Sequence, residues 1–98
     1  MRLRFFGGLA IEGRDGESLA VPGRGQRALL FRLALDAGAG VSGRALVEDL
    51  WPTEAPDDPR AALQSLISRL RRALPDGSIQ AVPGGYRLNV ARASATAP

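Results

Sequence analysis

Apolar side chains near the start of the chain stand two residues apart, as they do on one face of a β-strand. The alternation runs through residues 3–5 and again through 9–11, and the two glycines at 7–8 interrupt it with a bend or bulge. The Asp-Gly pair at 15–16 tolerates the positive φ of a tight hairpin turn. Residues 18–21 then read as a returning strand, so the pattern predicts a small antiparallel N-terminal sheet.

Further along the chain the apolar spacing changes to three and four residues, which predicts helices. We expect the first helix over 25–37, with Gly38 as its C-terminal cap. Ser42 is a good N-cap for a second helix. We expect this helix to run through Leu50, because Pro52 prevents it from continuing. The first helix has a broad apolar face made of Ala28, Leu29, Leu30, Leu33, Ala34 and Ala37.

The third helix has the sharpest predicted start, because Asp58 is a capping residue and Pro59 suits the first helical position. We expect this helix over 59–74, where the Pro-Asp-Gly sequence at 75–77 ends it. Its large apolar residues fall within roughly 100° of one another on a helical wheel and must pack on a core. They are Leu63, Leu66, Ile67, Leu70 and Leu74.

Two strands follow at 79–82 and 86–90, with the Pro-Gly-Gly turn of a hairpin at 83–85 between them. Residues 91–98 are small and unpatterned, and we expect them to be disordered. The predicted fold is α+β, a winged helix–turn–helix with an N-terminal antiparallel sheet, a three-helix core and a C-terminal β-hairpin wing. We expect this single domain to cover residues 1–90.

Charge is segregated along the chain. Residues 1–58 hold seven arginines and nine carboxylates, a net charge of −2, whereas residues 59–98 hold six arginines and one carboxylate, a net charge of +5. All thirteen basic residues are Arg, which codon usage in a GC-rich genome largely explains but which also suits bidentate contacts to phosphate and guanine. A cationic helix on an otherwise acidic domain indicates a polyanion partner, with nucleic acid as the first candidate.

Composition excludes several classes of site. The chain has no Cys and no His, which removes disulfides, thiol nucleophiles and the commonest general base and zinc ligand. The carboxylates lie in turns, in loops or beside basic residues, so we expect no enzyme, no metal and no cofactor. The Gly-Arg-Gly sequence at 23–25 opens a helix but lacks the Gly-Lys-Ser/Thr of a phosphate loop. Neither a membrane span nor a signal-peptide pattern is present, and we expect a cytoplasmic protein without membrane contact.

The side of the third helix opposite its apolar stripe has the character of a DNA-reading surface. From centre to flanks that side carries Ala61, Ser65, Ser68, Arg72, Gln64, Arg71 and Arg69. Small residues let a helix enter the major groove, Gln and Ser can meet base edges, and Arg reaches guanines or phosphates. The alternative is a basic amphipathic helix whose arginines are simply solvated. The preceding helix and the following hairpin with Arg87 favour DNA.

Four segments of the chain carry a family pattern: 27–30 (RALL), 50–51 (LW), 62–74 (ALQSLISRLRRAL) and 82–88 (VPGGYRL). They are similar to the OmpR/PhoB-type winged helix–turn–helix. The third helix together with Gly-Tyr-Arg-Leu looks most like the SARP/AfsR branch, the antibiotic regulatory proteins of actinobacteria. The resemblance covers residues 2–90, and it implies an N-terminal sheet on a three-helix core, a hairpin wing, and transcriptional regulation through promoter DNA.

The resemblance also implies roles for single residues of the third helix. Ser65, Ser68 and Arg69 should face the major groove, with Arg69 as the principal base-reading residue. Arg71 and Arg72 should meet phosphates.

The resemblance implies further contacts at the helix start and in the wing. Arg60 should meet a phosphate, as should Trp51 through its indole N–H, although a Trp after an apolar helix face is more often a core residue. Tyr86 and Arg87 lie where the wing of the family approaches DNA, and packing of Tyr86 on the third helix is an equal alternative. Many such wings carry an Arg in the turn, which the turn at 83–85 lacks, so we expect the wing to touch only the DNA backbone.

An acidic loop separates the second and third helices. In the family this loop meets RNA polymerase, so Glu54 and Asp57 are candidate contacts to the polymerase. The negative charge of the loop should keep it away from phosphate. The alternative is that these acids only solubilise the loop and, through Asp58, cap the third helix.

The leading interpretation is sequence-specific binding of double-stranded promoter DNA by a transcriptional regulator, an activator. The third helix, 59–74, would lie in the major groove and the hairpin, 79–90, would form the wing. The resemblance implies a head-to-tail dimer on repeated sites. The alternative is a winged-helix module that docks RNA polymerase or another regulator without DNA specificity of its own. The helical activation domain of SARP regulators and the receiver of response regulators are both absent from this sequence, so we expect a stand-alone small protein or an excised domain.

Overall fold

The computed structural model describes residues 2–5, 9–13 and 15–89. In chain order its elements are β1 (Arg2–Phe5), β2 (Leu9–Glu12), α1 (Arg24–Leu35), β3 (Gly40–Ser42), α2 (Gly43–Leu50), α3 (Pro59–Ala73), β4 (Ile79–Val82) and β5 (Gly85–Leu88). This order is the predicted α+β winged helix–turn–helix. The predicted bend at 7–8 and the predicted disordered tail at 91–98 lie outside the described residues.

Strands β1 and β2 form the predicted antiparallel N-terminal pair. The Asp-Gly turn that follows is confirmed by Gly16, whose φ is 80°. The returning strand predicted at 18–21 is wrong in extent, since β pairing there is limited to a single bridge between Glu12 and Ser18. Beyond Ser18 the chain forms no further β pairing among the described residues, and Val21 is buried in the core.

Helix α1 spans Arg24–Leu35, so it begins one residue earlier and ends two residues earlier than the predicted helix at 25–37. Its C-cap is Asp36, so the prediction of Gly38 as the cap is wrong. Gly38, with φ 88°, instead donates its N–H to the carbonyl of Leu88 at 3.0 Å and joins the end of α1 to β5. The predicted apolar face is buried except for Ala28, which is exposed.

Strand β3, which the sequence pattern did not predict, turns the C-terminal hairpin into a three-stranded antiparallel sheet of order β3-β5-β4. Val41 of β3 lies opposite Tyr86 of β5. Strand β5 begins at Gly85, one residue earlier than predicted, and the hairpin turn consists of Pro83 and Gly84. The φ of Gly84 is 77°, which suits the second central position of a type II turn. The wing is therefore attached to the helices through β3.

Both capping predictions for the helix–turn–helix are confirmed. The side chain of Ser42 accepts a hydrogen bond from the N–H of Ala45 at 3.0 Å. The side chain of Asp58 accepts one from the N–H of Ala61 at 3.1 Å, and Pro59 is the first residue of α3. Local side chains thus fix where α2 and α3 begin.

The core lies between the three helices and the wing sheet. The apolar stripe of α3 faces it as predicted, with Leu66 only partly buried. Fully burying one aliphatic side chain stabilises the fold by roughly 1.5–3 kcal/mol. The largest fully buried side chains are Leu29, Leu30, Leu33, Leu46, Leu70 and Leu88.

One salt-bridge cluster joins α1 to α2 at the surface. Arg32 donates hydrogen bonds to the carboxylates of Asp49 on α2 and Asp36, the latter at 2.6 Å. These bonds, chiefly the one to Asp49, raise the pKa of Arg32 above its ordinary value. The bond to Asp49 therefore links α1 to α2, whereas the bond to Asp36 stays at the end of α1.

Candidate nucleic-acid interface

Burial of its apolar stripe leaves the opposite face of α3 in solvent. Leu63, Ile67 and Leu70 point into the core. All seven α3 residues in the predicted DNA-binding set are exposed: Arg60, Gln64, Ser65, Ser68, Arg69, Arg71 and Arg72. The structure therefore brings this part of the predicted site onto one surface.

Most cations of this surface are not neutralised by the domain. Among the described residues, the side chains of Arg60, Arg69 and Arg72 have neither a hydrogen bond nor a salt-bridge partner. By contrast, Arg32 on α1 is paired with two carboxylates, and Arg44 on α2 lies 3.4 Å from a carboxylate oxygen of its own helix. The exposed guanidinium groups of α3 are thus available to an external anion.

On one flank of α3 a cleft of about 760 Å³ separates the helix from the wing. Arg60 and Gln64 line it from α3, Ser42 from the start of α2, and Gly84 and Tyr86 from the hairpin. Residues from the start of α2, from α3 and from the wing hairpin therefore meet on this flank.

On the other flank a groove of about 500 Å³ lies between α3, the start of α1 and the end of α2. Ser65 and Arg69 line it from α3, together with Arg24 and Trp51. Trp51 is only partly buried and follows the last residue of α2. Sequence analysis left open whether Trp51 is a core residue or a DNA contact. In the structure it lies at the edge of the exposed face of α3.

Arg71 is exposed but also makes a contact inside the domain. Its guanidinium donates a hydrogen bond of 3.4 Å to the carbonyl oxygen of Ile79. This bond joins the last turn of α3 to the first residue of β4. No sequence pattern indicates it, because the two residues belong to different elements.

The two predicted wing residues lie on opposite faces of the wing sheet. Tyr86 is partly buried and packs against the core. Side chains alternate along a strand, so Arg87 lies on the outer face, where it donates hydrogen bonds to Asn89 at 3.1 Å and to Gln80. Arg87 is therefore held on the sheet surface and does not extend from the turn.

The acidic loop between α2 and α3 has its carboxylates in solvent. Glu54 and Asp57 are exposed and form no salt bridge with a described residue. Asp58 differs from them because its carboxylate caps α3. The capping part of the alternative reading is thus confirmed for Asp58 alone.

Over residues 2–5, 9–13 and 15–89, no group of three carboxylates lies close enough to hold a metal ion. No helix in that part of the chain has the length and apolar character needed to cross a membrane.

Comparison with known proteins adds the following. The family model described as "Transcriptional regulatory protein, C terminal" matches residues 20–88. The chain is 41% identical over 73 residues to Regulatory protein AfsR of Streptomyces coelicolor, covering 74% of this chain and 7% of that protein. It is 40% identical over 72 residues to Transcriptional regulator RedD of the same organism, covering 65% of this chain and 21% of RedD. Among solved structures, Mycobacterium tuberculosis EmbR in complex with a low affinity phosphopeptide matches with a TM-score of 0.80 and 28% identity, over 95% of this chain and 26% of that chain. The chain thus spans only a small part of these relatives.

Proposed function

The chain belongs to the OmpR/PhoB-type family of DNA-binding transcriptional regulators, in its SARP branch, and from this premise we propose that it binds double-stranded promoter DNA sequence-specifically. In this proposal α3 lies in the major groove and the β4–β5 hairpin is the wing beside it. The supporting observation is the exposed face of α3, where Arg60, Arg69 and Arg72 are unpaired among the described residues.

The middle of α3 is proposed to read the bases. A major groove about 12 Å wide admits a helix, and the small side chains of Ala61 and Ser68 at the centre of the exposed face let it enter deeply. Gln64 and Ser65 offer hydrogen bonds to base edges. Arg69 lies beside Ser65 in the groove next to α1, and it is the proposed reader of guanine because its planar fork matches O6 and N7.

The cations around this centre are proposed to hold the phosphates. Arg60 lies at the start of α3 and Arg72 near its end, so that they would reach the backbone at two separated points. Arg71 can do the same while bonded to Ile79, because a guanidinium has further N–H donors. Trp51 would donate its indole N–H to a phosphate.

The wing is proposed to touch the DNA backbone only. Its turn carries no cation, and Arg87 is bonded on the outer face of the sheet to Asn89 and Gln80. The remaining N–H groups of Arg87 and the hydroxyl of Tyr86 are the candidate contacts.

The regulatory part of the proposal concerns the exposed acidic loop. We propose that Glu54 and Asp57 contact RNA polymerase, that the regulator is an activator acting on cytoplasmic promoter DNA, and that protomers bind repeated sites head to tail. Exposure of both carboxylates supports the polymerase contact alone, because a surface that repels phosphate is free for a protein partner.

A fluorescence-anisotropy titration of the domain with duplexes selected from a random pool, at 50 and 200 mM salt, tests the DNA-binding part. We expect Arg69→Ala to cost about 1–3 kcal/mol on the preferred site and to relax base preference there. Arg72→Ala should weaken binding to all duplexes and reduce the slope of log K against log salt by about 0.9.

The matched control is Arg27→Ala, which removes an equal charge from an exposed position on α1 that does not line the groove shared with α3. It should leave both affinity and slope near those of the unmodified domain. A domain without salt-dependent duplex affinity would contradict DNA binding and leave the protein-docking module as the better reading.

A further inference from the structure

Arg24 is an arginine outside α3 that shares a groove with the proposed base-reading residue. It is the first residue of α1, it is exposed, and it lines the same groove as Arg69 and Trp51. Among the described residues its side chain has neither a hydrogen bond nor a salt-bridge partner. Its charge is therefore as available as those of α3.

Two glycines account for this position. Gly23 adopts φ 89°, a conformation that L side chains rarely adopt. Gly25 lets the first turn of α1 approach α3, because a Cβ there would lie only 3.1 Å from a terminal methyl carbon of Leu66. Arg24, the residue before Gly25, lines the groove together with Ser65 and Arg69 and so lies beside the exposed face of α3.

The groove between them has a cationic lining. Two guanidinium groups, those of Arg24 and Arg69, line it and no carboxylate does. Like charges on one concave surface repel each other and attract an anion. The indole of Trp51 at the same edge adds an N–H donor that suits a phosphate oxygen.

We propose that Arg24 binds a DNA phosphate at the flank of α3 opposite the wing, so that α1 is part of the DNA interface. This inference rests on the proposed function and extends it to a residue outside the helix–turn–helix. Phosphate contacts fix the register of a protein on the duplex. With Arg24 on one flank and Arg60 on the other, α3 is held from both sides even though the wing turn lacks a cation.

The test compares Arg24→Ala with Arg27→Ala in duplex titrations at 50 and 200 mM salt. Both variants lose one exposed charge from α1, and only Arg24 lines the groove shared with Arg69. Loss of one phosphate contact reduces the salt slope by about 0.9, so the ratio of wild-type to Arg24→Ala affinity should be about 3.5-fold larger at 50 mM than at 200 mM. The rank order of duplexes should not change, since phosphates carry no base identity.

Arg24→Lys keeps the charge and should recover most of the salt slope, which separates loss of a phosphate contact from a structural effect at the start of α1. Equal affinity and slope for Arg24→Ala and Arg27→Ala, with wild-type binding intact, would overturn this inference while leaving the proposed function standing. A wild-type domain without salt-dependent duplex affinity would overturn both.

Discussion

Gly85 of β5 lies directly against the backbone of β3, the strand that attaches the wing to the helices, and its replacement by Ala should separate the two strands. A Cβ at this position would lie 2.0 Å from the carbonyl oxygen of Val41 and 2.8 Å from the Cα of Ser42. Non-bonded heavy atoms normally stay about 3.5–4.0 Å apart. Because the opposing atoms belong to the backbone, no rotation of a side chain can relieve the clash, and β3 must move away from β5.

The expected cost follows from what that movement breaks. The pairing of β3 with β5 and the 2.8 Å hydrogen bond from the Gly43 N–H to the Gly84 carbonyl would be lost, at about 0.5–1.5 kcal/mol for each hydrogen bond. The side chain of Val41 is only 5% exposed. It would become partly exposed and lose part of the roughly 1.5–3 kcal/mol that its burial contributes to the free energy of unfolding. A loss of about 3–4 kcal/mol is a large share of the roughly 5–15 kcal/mol typical of a folded domain.

Urea denaturation followed through the fluorescence of Trp51, the one tryptophan of the chain, measures this loss. The matched control is Gly84→Ala. There φ is +77° but nothing lies within 4 Å of the added Cβ, so backbone conformation alone should cost about 1–2 kcal/mol. If Gly85→Ala lost no more unfolding free energy than Gly84→Ala, close approach of β3 and β5 would not be the reason for glycine at this position.

Three further predictions concern α3 and the core. Asp58→Ala removes the α3 cap and should cost about 1 kcal/mol in thermal unfolding; an unchanged midpoint would show that the cap bond is not stabilising. Leu70→Ala, at a site 0% exposed, should cost about 2–5 kcal/mol, well above Phe31→Ala, whose site is 44% exposed, and urea midpoints decide the order. Ser68→Glu should raise the thermal midpoint slightly yet weaken duplex binding by pairing Arg72, and unchanged duplex affinity would count against that helix face.

The helix–turn–helix could be predicted from sequence because its determinants are local. Asp58 and Pro59 mark the start of α3 within two residues, and the apolar stripe marks which face is buried. Ser42 does the same for α2. The exposure of the predicted α3 residues follows directly from this register, which is why that part of the candidate site could be located without coordinates.

The elements that could not be predicted depend on partners distant in sequence. Strand β3 has three residues, two of them Gly40 and Ser42, and nothing in so short a segment indicates that it pairs with β5. Gly38 has the sequence context of a helix cap, but its N–H meets Leu88. The segment 18–21 alternates like a strand, but only Ser18 forms a β bridge, and whether a strand finds a pairing partner is not encoded in its own alternation.

The same limit applies to the candidate site. The bond from Arg71 to Ile79 and the bonds of Arg87 on the sheet face depend on how the wing packs. The groove that Arg24 and Arg69 both line depends on the close packing of Gly25 against Leu66. A helical wheel shows only in which direction a side chain points from its own helix axis. Predicting these contacts also requires the position of a second element.

The residues one helical turn before Arg69 and Arg72 show that α3 does not carry the side chains that would stabilise the helix best. Arg32 of α1 and Arg44 of α2 each form a salt bridge with a carboxylate four residues later in the chain. On α3 the residues four before Arg69 and Arg72 are Ser65 and Ser68. A Glu at either place would stabilise the helix by about 0.2–0.5 kcal/mol, and Ser is a poorer helix former than Glu. Stability alone therefore favours acids where α3 has serines. Small, uncharged side chains beside free guanidinium groups are instead what a surface needs if a polyanion is to approach it closely.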